Sequence, residues 1–218
     1  MHYGKIGVVT VTDELRRRWS ALLPGSAGSH VLGEGLLERW GEPHRHHHDQ
    51  RHLLEVLEAV DVLVEVADNP LAVRLGAWFH DAVYAGRPDD EELSAKLALE
   101  TLSELGLGVD ASLVTTVASL VRMTRDHDPA ADDHNGCVLS DADLAVLGAS
   151  PQRYRSYVAG VRKEYAHVSD QAFRAGRAEV LRTLLAQPQL FRTADGWARW
   201  EAPARQSMHA ELTSLTDS

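Results

Sequence analysis

Apolar positions recur along the chain mostly at intervals of three and four residues, and alternating runs bounded by turn residues are nearly absent, so the sequence predicts an all-α fold. Val8 to Val11 is strand-like but too short and isolated to found a sheet. A first helix is expected from Asp13, as its N-cap, to Leu23, before Pro24 and Gly25 stop it. A second covers about His30 to Trp40. Asp49 to Val66 carries Leu53, Leu54, Leu57, Val60 and Val64 on one broad stripe. Asn69 and Pro70 then open a helix in the favoured order of cap and first turn, and it runs through LAVRLGAWFHDAVY toward Gly86 and Pro88. Further helices are expected at about Asp90 to Leu105, Asp110 to Thr124, Ser140 to Leu147, Pro151 to His167 and Asp170 to Ala186. The polar segment DHDPAADDHNGC reads as an exposed loop. The tail from Gln187 to Ser218, with Phe191, Trp197 and Trp200, should pack back on the bundle. The expected organisation is a poorly structured stretch over residues 1–12 and one helical domain over 13–214.

Composition narrows the function classes. With 218 residues, 44% hydrophobic and 25% charged, the chain is neither disordered nor fibrous. Its 32 acidic and 22 basic residues give a formal charge of -10, which offers no basic footprint for duplex nucleic acid or an anionic membrane. One cysteine, Cys137, excludes an intrachain disulfide and a multi-thiolate zinc site. No run of ~18 apolar residues is present, and the N-terminal stretch is too weakly apolar for a signal peptide, so a cytoplasmic protein is expected.

Histidine changes the picture. There are twelve, and His44, His46, His47, His48 and His52 fall close together. Such a cluster is either a solvated loop or a site for metal or proton transfer. His48 and His52 are spaced i, i+4, which puts both rings on one helix face if the segment is helical. His80-Asp81 interrupts an otherwise apolar helix, where a buried carboxylate needs a cation beside it unless it faces solvent at the helix end. Asp141 and Asp143 stand at an expected helix start, where one can cap and the other is available to an ion. His52, His80, Asp81 and Asp143 together offer two nitrogens and two carboxylates from three helices, a mixed set that suits Mn, Fe, Co, Ni, Zn or Mg.

The order His, His-Asp, Asp on an all-helical chain resembles the HD superfamily of metal-dependent phosphohydrolases. EPHRHHHDQRHL, AWFHDAVY, DDEELSA, LSDADLAVLG and VRKEY look like consecutive motifs of a bacterial branch of predicted HD phosphohydrolases, and the resemblance runs from about Leu36 to Leu212. It implies an HD-type helical bundle holding one divalent ion on His52, His80, Asp81 and Asp143. Asp141 would lie beside that ion as a water or substrate contact. His48 and Glu91 match positions suited to proton transfer, and Arg45 and His127 match positions suited to binding the substrate. The chain departs from the branch at His47, Asp49, Gln50 and Asp90.

The resemblance implies hydrolysis of a nucleotide or other small phosphate ester or anhydride by metal-activated water. Two alternatives keep the same fold. One is a non-haem iron oxygenase, in which His48 and His127 would help to hold a second ion. The other is a binding or regulatory domain without turnover.

Overall fold

The computed structural model describes residues 9–25, 27–105 and 109–217. It is an all-α bundle, as the periodicity requires. Its helices are α1 (Val11–Leu22), α2 (Ala27–Trp40), α3 (Gln50–Leu63), α4 (Pro70–Phe79), α5 (Asp90–Glu104), α6 (Ala111–Met123) and α7 (His134–Leu144). They are followed by α8 (Pro151–Glu164), α9 (Asp170–Ala186) and, after a π-helical turn at Trp197–Glu201, α10 (Ala202–Thr216). No helix among the described residues is long and apolar enough to cross a membrane.

Helix α4 lies at the centre, packed against α3, α5, α6 and α7. Its sequence, PLAVRLGAWF, is apolar almost all round, and a helix of that kind must be covered on every side. Val73, Leu75, Trp78 and Phe79 are fully buried. Around it, α1 to α7 share one hydrophobic core. A second core, built on Leu147, Tyr154, Tyr157, Leu181, Phe191 and Met208, joins α8, α9 and α10. Trp200 packs against both. The expected return of the tail is therefore correct for Phe191 and Trp200, whereas Trp197 remains 55% exposed. Inside the second core, Glu211 accepts two hydrogen bonds from Arg177, at 2.8 and 3.0 Å, and one from the Tyr154 hydroxyl.

Several helix ends shift by a few residues from those expected, α8 for example ending at Glu164 and not His167, and three of the differences have a clear local reason. First, α1 begins at Val11, not Asp13. Thr10 is the N-cap: its hydroxyl accepts from the Asp13 N–H, and the Asp13 carboxylate accepts from the Thr10 N–H in return. Thr10 to Thr12 thus belong to the helical structure, while the rest of the stretch expected to be poorly structured lies, apart from Val9, outside the described residues. Second, α4 ends at Phe79, so His80 caps its C-terminus and Asp81 stands just beyond it. The chain then turns because Asp90 accepts from the N–H groups of Ala85 and Arg87, while Ser94 bonds both backbone groups of Val83. Third, α7 starts at His134, inside the segment expected to be a loop, because Asp133 caps it through the Gly136 N–H. Asp141 and Asp143 consequently sit near its C-terminal end, and the capping role expected at Ser140 to Asp143 falls to Asp133.

Replacing Thr10 with Ala removes the capping box and should cost about 1 kcal/mol. In a chain of this size the melting temperature should fall by roughly 2–4 °C. A truncation starting at Thr12 should show the same fall in calorimetry.

Candidate metal centre

His52, His80 and Asp143 come from α3, the end of α4 and α7, and form a group that can hold a metal ion. His52 Nε2 is 3.0 Å from Asp143 Oδ1 and 3.3 Å from His80 Nε2, and His80 Nε2 is 3.5 Å from Asp143 Oδ1. Donor atoms ~2.0–2.2 Å from a shared ion lie ~3.0–3.5 Å from one another in tetrahedral or octahedral geometry, so the three spacings fit one coordination sphere. Both histidines are buried.

The hydrogen bonding strengthens the fit. His80 Nδ1 lies 2.8 Å from the Ala77 carbonyl, which can only accept, so the proton is on Nδ1. In the neutral ring Nε2 then presents a lone pair to the centre, as a backbone carbonyl on the other ring nitrogen arranges for many histidine ligands. Asp81 Oδ2 is 3.3 Å from the same Nε2. Burial favours the neutral form of His80, but Asp81 and Asp143 outweigh it and hold its pKa well above the ordinary histidine value. Burial likewise opposes ionisation of Asp143, and His80 and His52 overcome it, holding its pKa well below the carboxylate range. The arrangement calls for a positive charge at its centre, as a proton or as a metal ion. Asp81 flanks the three-residue group at its rim.

Trp40 forms an apolar wall, with its ring centroid 5.3 Å from that of His80 and its indole N–H donating to the Trp78 carbonyl at 3.0 Å. His127 lies on the other side of Asp143. Its Nε2 is 3.4 Å from Asp143 Oδ2, and its Nδ1 is 3.2 Å from the Ser140 hydroxyl. Its φ of 50° is in the left-handed region, an uncommon conformation for a non-glycine residue and one that occurs near functional sites. Burial lowers its pKa.

His48 precedes the Asp49 cap of α3, so the i, i+4 helical face expected for His48 and His52 does not form, although their ring centroids are 5.7 Å apart. Glu164, the last residue of α8, positions it. One carboxylate oxygen accepts from the N–H groups of His46, His47 and His48 at 2.7, 2.7 and 3.0 Å. The other accepts from His48 Nδ1 at 2.8 Å and from the Tyr84 hydroxyl at 3.0 Å. Burial opposes ionisation of Glu164, but the hydrogen bond and charge of His48 and the backbone N–H groups bring its pKa down to about 2. Gly160 allows the approach: a Cβ there would lie 2.6 Å from the His46 carbonyl oxygen. His47 is buried between His48, His52 and Tyr157, with ring centroids 4.6 Å from each.

Two expected site residues are otherwise engaged. The Arg45 side chain is fully buried and donates to the carbonyls of His48, Asp81 and Ala82 and to the Glu42 carboxylate, so it braces the loops and has no guanidinium face for a phosphate. Asp141 is buried and accepts from the Arg192 N–H and from the N–H and hydroxyl of Thr193. Its carboxylate fastens the residue 190 segment to α7 and does not stand beside the His52, His80 and Asp143 group. Glu91 is half-buried near the rim, where burial and the charges of Asp81 and Asp90 raise its pKa.

Glu164 and Tyr84 fall inside the motifs VRKEY and AWFHDAVY, but neither was given a role of its own. A carboxylate in the last turn of a helix also faces the negative end of the dipole, and that unfavourable placement was a second signal for Glu164.

No family model, curated protein or solved structure matches the chain.

Because the folded pKa of Glu164 is depressed from 4.5 to about 2, its stabilising contribution is complete above 4.5 and is lost as pH falls toward the folded value. Glu164→Gln should cost about 3 kcal/mol at neutral pH. In urea unfolding the gap between the two proteins should narrow as pH falls below 4.5. A gap independent of pH would mean that the carboxylate charge is not what holds the loop.

Proposed function

We propose that the chain is a metal-dependent phosphohydrolase of the HD type, acting on a nucleotide or another small phosphate ester or anhydride. The observation that carries this reading is the convergence of His52, His80 and Asp143 at ligand spacing, with Asp81 against His80 and two further histidines at the rim. A bound divalent ion supplies Lewis-acid polarisation of a phosphoryl oxygen and lowers the pKa of water. Such chemistry needs charge and an open position, so Mn, Co, Ni, Mg, Fe or Zn could serve.

The chain's own residues account for the other parts. His52 and His80 offer Nε2, and Asp143 offers Oδ1. His48 donates its Nδ1 proton to Glu164 and keeps Nε2 for the substrate side. Burial lowers its pKa, but Glu164, Asp81 and Asp143 outweigh this and raise it, which favours a protonated ring able to donate to the leaving oxygen. Asp81, with Oδ2 3.3 Å from His80 Nε2, is placed to add a carboxylate oxygen to the ligand set, and Glu91, whose pKa burial raises, can accept a proton. His127 can donate to a phosphoryl oxygen from the far side of Asp143. With Arg45 committed to backbone carbonyls, the phosphate charge is left to the ion and the two rim histidines.

A second ion is the competing arrangement, since His127 stands against the other oxygen of Asp143. Metal content separates the two. Purified protein should hold about one tightly bound ion, and metal-stripped protein should regain phosphoester hydrolysis with several divalent ions supplied singly. Asp143→Ala and Asp81→Ala should lower metal content and turnover while the helical circular dichroism persists. His127→Ala should leave metal content unchanged and slow turnover by about 100-fold. Two equivalents of iron with oxygen consumption, falling to one in His127→Ala, would replace the hydrolase with an oxygenase. Metal binding without turnover on any phosphoester would leave a binding domain.

A further inference from the structure

Between α8 and α9 lies a cavity of about 460 Å³ that reaches His48. Tyr157 and Val161 of α8, Tyr165 just beyond it, and Phe173 and Val180 of α9 form its walls. The volume is within the range of small-molecule sites, ~300–1,000 Å³. Val180 is 49% exposed, so the cavity leaves part of its apolar lining in water. Two of its lining residues carry or can carry charge: Arg177, whose guanidinium pairs with Glu211 through two hydrogen bonds and sits over the Tyr157 ring at 5.0 Å, and His48, whose Nδ1 donates to Glu164 at 2.8 Å. The remaining walls are aromatic and aliphatic, and both cations are already paired with a carboxylate. A phosphate gains little there; a flat uncharged ring gains both apolar burial and edge or face contacts with the aromatic side chains.

Two features tie the cavity to the metal centre and keep it open. His48 is among the lining residues of the cavity, and its ring centroid is 5.7 Å from that of His52, so one side chain borders both the cavity and the His52, His80 and Asp143 group. Gly176 lines the cavity in the interior of α9, where a Cβ would meet no atom within 4 Å. Glycine weakens a helix interior and no neighbour demands it at this exposed position, from which a longer side chain would reach across the mouth of the cavity.

We infer that the α8–α9 cavity is the subsite for an uncharged aromatic group of the substrate, the phosphoryl end of which lies at the His52, His80 and Asp143 group. The link to a phosphoryl group rests on the hydrolase reading, whereas the aromatic subsite can be tested without turnover. Calorimetric titration with 1-naphthol probes the cavity alone. Hydrolysis of 1-naphthyl phosphate against glycerol 2-phosphate by metal-loaded protein probes its connection to the chemistry.

Wild type should bind 1-naphthol more tightly than cyclohexanol and should prefer the naphthyl ester through a lower KM. Gly176→Leu fills the open space with a better helix former, so it should keep its fold and metal content while weakening naphthol binding about tenfold. Its KM for the naphthyl ester should rise by a similar factor. Gly35→Leu on α2, where a Cβ also meets nothing within 4 Å, should change neither quantity. Val180→Asp, at a half-exposed position, gives a second variant that should weaken naphthol binding.

Naphthol binding unaffected by both cavity variants, binding no tighter than that of cyclohexanol, or no binding would overturn the inference. Naphthol binding sensitive to both variants, without hydrolysis of either ester, would uphold the aromatic subsite and refute the hydrolase. Hydrolysis of glycerol 2-phosphate without naphthol binding would do the reverse.

Discussion

Lone pairs that converge in a buried space need a positive charge among them, and the packing of α3, α4 and α7 forces such a convergence. His52 and His80 point Nε2 at each other and at Asp143, with Asp81 against His80. The Ala77 carbonyl keeps His80 from turning its N–H inward. A proton on His80 can satisfy the set when no ion is present, so binding a metal and protonating this histidine are competing ways of meeting one electrostatic demand. The surrounding core makes that demand rigid. Helix α4 is covered on all sides, and Trp40 closes the apolar wall beside His80.

Glu164 imposes order on the opposite flank. A buried carboxylate is costly unless its oxygens are well supplied with donors, and here five hydrogen bonds supply them. Three come from consecutive backbone N–H groups, so the carboxylate fixes the path of the chain through His46 to His48 as well as the orientation of one ring. Arg45 works on the same loops from the other side by binding carbonyls, which a carboxylate cannot do. Together they set the His48 segment and the turn after His80 in place without contributing a ligand.

Much of the helical architecture was legible because burial repeats with the helix period and because Asn69-Pro70, Asp49 and Asp110 mark helix starts in the chain itself. His52, His80, Asp81 and Asp143 could be proposed as one set because they edge or interrupt apolar helices; three of them form the group that could hold a metal ion, with Asp81 Oδ2 3.3 Å from His80. The α7 start was not legible, since several aspartates in DHDPAADDH are equally plausible caps and only packing selects Asp133. Arg45 and Asp141 show the same limit in side-chain roles. An arginine beside histidines and a second aspartate near Asp143 have the right chemistry for a site, yet each is held by groups distant in sequence: Arg45 meets the carbonyls of Asp81 and Ala82 across 36 and 37 residues, and Asp141 meets Arg192 and Thr193 across 51 and 52. Glu164 was given no role for the same reason, because the groups that donate to it lie 80 to 118 residues earlier.

Those separations set an order of assembly. The first core draws on α1 to α7, and all three residues of the candidate metal group are in the chain by Leu144. The N–H groups of His46, His47 and His48 wait for an acceptor 118, 117 and 116 residues further on. Loop-closure entropy rises only slowly with such lengths, so the delay is one of chain synthesis, at ~5–20 residues per second, more than of free energy. A growing chain therefore completes the His52, His80 and Asp143 group before the carboxylate that holds His48 exists, and the histidine's support is built last.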